Sequence, residues 1–138
     1  AGFCLADCQG RSPLYSPTAT YWRDYAATGT CKIPPQRPLW GNLTYTKGAT
    51  TLLGGQISFK LQGAETLAAL PTAASTQVTV PYANTTGAIN IQSVLNAAGL
   101  RDDSPYLRVT AVLTSSLDQK STPLLQQFDV SYTCVNVE

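Results

Sequence analysis

With 138 residues, a net charge of +1 and 12% charged side chains, the chain is sized for one domain able to bury a core. Its nine Lys and Arg are scattered, which excludes the clustered basic face of a nucleic-acid binder. The complete lack of His excludes Ser-His-Asp and Cys-His catalytic arrangements.

Residues 1–20 contain two cysteines, two prolines and several Gly and Ser, without sustained periodicity. They read as an irregular, cystine-stapled N-terminal arm ahead of a domain over 21–138. The opening Ala-Gly-Phe-Cys has no basic stretch and no apolar core, so it does not read as a signal peptide. An exported protein of this kind would be met here as a mature chain or an excised domain.

Residues 20–25 set Tyr21, Arg23 and Tyr25 opposite Trp22 and Asp24, predicting a short strand with aromatics on both faces. Residues 32–38 (Lys-Ile-Pro-Pro-Gln-Arg-Pro) are expected to lie outside any sheet as an extended connector, because prolines remove ladder donors. The next strand is predicted over 39–46, with Leu39, Leu43 and Tyr45 on one face and Trp40 on the other. After a turn over 48–55, residues 56–62 point Ile57, Phe59 and Leu61 inward and Ser58 and Lys60 outward. Residues 65–70 are rich in Ala and Leu but stop at Pro71, allowing one or two helical turns. A strand over 77–80 ends at Pro81, and 83–87 read as a polar loop.

The best helix runs over 90–99. Asn90 or Ser93 can cap it, Ile91, Val94 and Leu95 make its apolar face, and Gly99 suits its stop. Two long alternations follow. Leu107, Val109, Ala111 and Leu113 share one face of the first, and Phe128, Val130, Tyr132 and Cys134 share one face of the second. Joined by a polar turn over 115–122, they are expected to form the closing hairpin. Strands outnumber helices and no βαβ alternation occurs, so the fold class is all-β. The expected architecture is an antiparallel β-sandwich, jelly-roll-like, with one short helix. No apolar run of 18 residues occurs, so no membrane-spanning helix is expected.

Cys4, Cys8, Cys31 and Cys134 allow three disulfide connectivities, and the sequence does not choose among them. The physically attractive choice ties Cys31, at the domain entrance, to the inward-pointing Cys134. That would close a loop of roughly one hundred residues, stabilising by at most about 4.7 kcal/mol; Cys4 and Cys8 would then close a small local loop. A four-cysteine zinc site is the alternative, but Cys31 and Cys134 lack the paired short spacing of zinc ribbons. Disulfides point to an oxidising, extracytoplasmic compartment.

No catalytic residue, cofactor or metal site is expected. Asp102 and Asp103, the adjacent acids, lie in a turn-like Arg-Asp-Asp-Ser-Pro segment, where solvated turn carboxylates are the simpler reading. A calcium site combining them with Asp118 would need acids from opposite ends of a strand, about 30 Å apart. Exposed aromatics can stack on sugars, and Trp22, Tyr25 and Trp40 are the candidates, although a sandwich buries aromatics routinely. Trp22 and Tyr25 exposed together would favour a ligand platform. Arg108 projects from the polar face of its strand as a candidate contact, with a solvated face as the simpler reading. Asn42-Leu-Thr and Asn84-Thr-Thr fit the N-glycosylation triplet.

The succession Tyr21-x-Arg23-Asp24-Tyr25, Cys31, Leu39-Trp40-Gly41, Ile57-x-Phe59, Tyr106-Leu107-Arg108-Val109, Thr122-Pro123-Leu124 and Tyr132-x-Cys134 carries a resemblance. It resembles a β-sandwich module of large bacterial secreted and surface proteins, those with von Willebrand A-type domains and adhesins of pilus-tip type. The resemblance covers residues 20–134. It implies a non-catalytic spacer, interaction platform or carbohydrate binder at the cell surface, with no functional residue carried over. Partners would be other surface-protein domains, identical subunits or glycans. A free-standing sandwich with an uncharged, Thr-rich surface also suits a subunit of an extracellular filament or sheath, joined by strand addition.

Overall fold

Alternation of apolar and polar residues decides which segments become strands and which face each one buries. A computed structural model describes residues 18–48, 55–80, 86–115 and 124–136. Its strands are β1 (Thr18–Ala26), β2 (Gln36–Lys47), β3 (Gln56–Ala64), β4 (Ser75–Thr79), β5 (Thr86–Asn90), β6 (Tyr106–Thr114) and β7 (Leu125–Asn136). A 3-10 turn covers Leu67–Thr72, and the helix α1 covers Ile91–Ala97.

The strands form two sheets, ordered β1-β6-β3-β4 and β5-β2-β7, and every pairing is antiparallel. Ile57, Phe59 and Leu61 of β3 and Leu107, Val109, Ala111 and Leu113 of β6 are buried on one inner face. Trp40, Leu43 and Tyr45 of β2 and Phe128 of β7 are buried with them in one core. Phe59 joins the layers, its ring 5.8 Å from Tyr45 and 5.6 Å from Phe128. Each fully buried side chain of this size stabilises the fold by roughly 1.5–3 kcal/mol. The fold is the expected antiparallel β-sandwich with one short helix. Seven strands are described, against the eight of a jelly roll.

α1 behaves as its sequence predicts. Asn90 is the N-cap, its side chain accepting from the Ser93 amide at 3.0 Å. Ile91 and Leu95 enter the core, and Gly99 takes the positive φ of 75° that a side chain would resist. The 3-10 turn is fixed differently: the buried Gln62 side-chain amide donates to the Leu70 and Ala73 carbonyls at 3.1 and 3.0 Å.

Four expectations about the strands are corrected. β6 and β7 are not a hairpin: β6 lies between β1 and β3, whereas β7 pairs with β2 in the other sheet. Both strands bury their expected faces, but across the core from each other. Gln36, Arg37 and Pro38 are not in a connector but open β2, with Pro38 opposite Cys134. This is tolerated because β5 pairs only with Asn42–Thr46, so β2 is a local edge at Pro38 and needs no second ladder donor. Residues 86 and 87 belong to β5 rather than to a loop, the strand taking its partners from β2.

The fourth correction concerns Trp40, which shares the buried face with Leu43 rather than opposing it. The register with β7 jumps from Trp40↔Tyr132 to Leu43↔Val130, so Gly41 and Asn42 together oppose Ser131 alone. This bulge inserts one residue and changes the parity of the strand. Ser131 Oγ accepts from the Asn42 amide at 3.1 Å, satisfying a donor displaced from the ladder.

Cys31 and Cys134 are disulfide-bonded, with a sequence separation of 103. Cys31 is buried and Cys134 packs against the same core. The expectations for Cys4 and Cys8, and for the arm apart from its last residues 18–20, fall outside the described residues; 18–20 open β1.

Candidate functional site

The most chemically specific described surface lies on β1 and β6, on the face turned away from the core. Trp22 and Asp24 are two residues apart and share this face, and the unbroken register places Asp24 opposite Arg108. Arg108 Nε donates to Asp24 Oδ1 at 2.7 Å and its terminal nitrogen to Oδ2 at 3.0 Å. This two-pronged pair matches the fork geometry of guanidinium and carboxylate. The Asp24 hydrogen bond holds the Arg108 guanidinium above its ordinary pKa. The same guanidinium stands 5.4 Å from the Trp22 ring centre, yet Trp22 remains 55% exposed.

The other face of β1 carries Tyr21, Arg23 and Tyr25. The Tyr21 ring meets Phe128 edge-on at 6.0 Å while remaining 54% exposed. Arg23 leans over Phe128 and Tyr25, 5.4 and 5.9 Å from the ring centres, and donates to the Phe128 carbonyl at 3.4 Å. Burial raises the Tyr25 phenol pKa, against the opposing influence of Arg23. Between β1 and β7 lies a crevice of about 230 Å³, lined by Tyr21, Arg23, Leu125, Gln126, Gln127 and Phe128.

The candidate contact residues therefore separate. Trp22 and Arg108 come together. Tyr25 is half-buried on the opposite face of β1, three residues and hence an odd number from Trp22, so the two do not form one platform. Trp40 is 1% exposed, its indole donating to the Ser104 carbonyl at 2.8 Å and packing 4.9 Å from Tyr132; it is a core residue, not a contact. Arg108 is not a solvated charge but a structural partner of Asp24. Sequence reasoning missed Asp24 in this role, because only the β1–β6 register brings the two together.

A second charged group sits near Trp40. Arg37 pairs with Glu65 at 2.7 and 3.1 Å and donates to the Asp103 carbonyl at 3.1 Å. The Arg37 hydrogen bonds hold the Glu65 carboxyl below its ordinary pKa. Arg101 grips Asp103 at 2.9 and 3.1 Å, and Asp102 accepts from the Asn96 amide at 3.2 Å. Asp103 is thus tied to its own turn and Asp102 to the helix before it. Asp118 lies outside the described residues, and among those described no group of three or more His, Cys, Asp or Glu is placed to hold a metal. Asn42 is exposed at the bulge, and Asn84 lies outside the described residues.

The chain is thus a disulfide-closed antiparallel β-sandwich whose edge strand β1 displays a large aromatic on each face. No protein-family model, curated protein or solved structure matches it.

Proposed function

We propose that the chain is a non-catalytic, extracellular β-sandwich module acting in cell-surface adhesion or assembly. The supporting observation is the aromatic edge strand, with Tyr21 and Trp22 on opposite faces of β1 and each more than half exposed. Exposed Trp and Tyr beside a fixed Arg are the residue types that dominate binding energy at protein interfaces. The Cys31–Cys134 disulfide supports an oxidising compartment, since cytosolic thiols are kept reduced. Within this reading, the edge position of β1 favours contact by strand addition, as in a filament or sheath subunit. The glycan reading has less support, because Trp22 and Tyr25 face apart.

Light scattering and electron microscopy of the purified chain, with retention of labelled protein on cells of its source organism, test the proposal. Defined oligomers or saturable retention are expected. A monomer that cells do not retain would sink it.

A further inference from the structure

The two sides of the sandwich differ in how their edges are guarded. β4 and β5 are five residues each, and α1 packs against both. On the other side, β7 is 12 residues long but irregular. Its register slips between Gln127 and Leu125, and the Val130 amide is taken by the carboxylate of Asp129 at 2.8 Å. Shortness, bulges, charges and cover are the usual protections of a sheet edge.

Among the described residues, β1 is neither short, nor bulged, nor covered by another element. Its nine residues run in unbroken register with β6, without Pro, Gly or Lys, and pair with no other described strand. Both charges are turned to use within the molecule, Asp24 by Arg108 and Arg23 by Tyr25 and Phe128. The large hydrophobic side chains that the edge displays are Tyr21 and Trp22.

The geometry points to a second copy of this chain as the occupant, its β1 added antiparallel about a two-fold axis at Trp22. This inference rests on the assembly reading above and makes it specific. In that register Trp22 faces Trp22 of the second copy, Tyr21 faces Arg23, and Thr20 faces Asp24. Each aromatic left exposed by one copy gains an aromatic or cationic neighbour, within the reach of cross-strand pairs. Moving the axis to Arg23 would oppose two guanidinium groups. Moving it to Tyr21 would spend Trp22 on Thr20 and Arg23 on Ala19. Registers pairing odd with even positions would set the buried face of one sheet beside the outer face of the other. The two-fold contact uses the same strand on both copies, so by itself it closes at a dimer, and a filament would need a second contact elsewhere on the subunit.

Sedimentation equilibrium of the wild type, Trp22→Glu, Trp22→Cys and Thr20→Cys provides the test, with circular dichroism confirming folding. The wild type is expected to dimerise. Trp22→Glu opposes two carboxylates while keeping an anion-compatible site beside Arg108, and should weaken association at least tenfold. Under oxidation Trp22→Cys should form an intermolecular disulfide, because directly opposed residues lie about 4.5–5.5 Å apart. Thr20→Cys should not, its two copies being offset by four residues, about 14 Å along the strands. Association that survives Trp22→Glu, or equal cross-linking of both cysteine variants, overturns the β1 contact while leaving assembly intact. A wild type that stays monomeric at high concentration overturns the inference, and surface retention then decides the broader reading separately.

Discussion

Arg108 and Asp24 are 84 residues apart in sequence and directly opposite in the β1–β6 register, joined by hydrogen bonds of 2.7 and 3.0 Å. Their side chains are only 18% and 28% exposed, so solvent screens the pair less than an open surface bridge. Asp24→Asn should cost about 1 kcal/mol, and Arg108→Lys a similar amount, since an ammonium cannot reproduce the two-pronged contact. A double-mutant cycle in urea should show coupling of about 0.5–1.5 kcal/mol. Strict additivity would reject the pair as a stabilising unit.

The disulfide bridges a sequence separation of 103. Replacing both Cys31 and Cys134 by Ser should lower the unfolding free energy by about 2–4 kcal/mol, through the greater freedom of the unfolded chain. Equilibrium unfolding of the variant against the oxidised wild type measures this, and coincident curves would contradict it.

Two glycines make opposite demands on their neighbours. A Cβ at Gly87 would fall 2.6 Å from Cζ of the buried Tyr45, whose ring packs on Phe59. A Cβ at Gly41 would meet Ser131 Oγ at 2.9 Å, and that hydroxyl can swing away if it releases the Asn42 amide. Gly87→Ala should therefore cost about 1–3 kcal/mol, and Gly41→Ala closer to 1 kcal/mol. Thermal melts that reverse this order would show that the ring yields more readily than the bulge.

Glu65 gives a pH dependence of known sign. Arg37 lowers its folded pKa below the unfolded value. Its stabilisation is therefore complete above the ordinary carboxylate pKa and lost as pH falls through the depressed one. With the Glu65 side chain 52% exposed, screening limits the effect to less than about 1 kcal/mol. Glu65→Gln should lie below the wild type in stability at neutral pH and converge with it in acid. A gap that widens in acid would refute the assignment.

What could be read in advance was local. The inward faces of β3, β6 and β7 follow from spacing alone, because side-chain parity needs no knowledge of partners, and the helix start narrows to Asn90 or Ser93, of which Asn90 is the cap. Partnership was not legible. Nothing within 106–134 tells β6 and β7 that they belong to different sheets, since each buries one face in either arrangement. Trp40 was assigned to the wrong face because the Gly41–Asn42 bulge shows only as a mismatch against Ser131. Arg108 read as solvated for a related reason: its acid lies across a strand pair, beyond any sequence window.

The position of the disulfide also divides the molecule mechanically. Tension applied before Cys31 and after Cys134 passes through the sulfur bridge and bypasses a ring whose extended contour would be about 350 Å. β2 to β6 lie wholly within that ring, and so does nearly all of β7. Among the described strands, β1 alone precedes it. A pulling force would strain the bonds between β1 and β6 first, making the aromatic edge the molecule's tensile fuse.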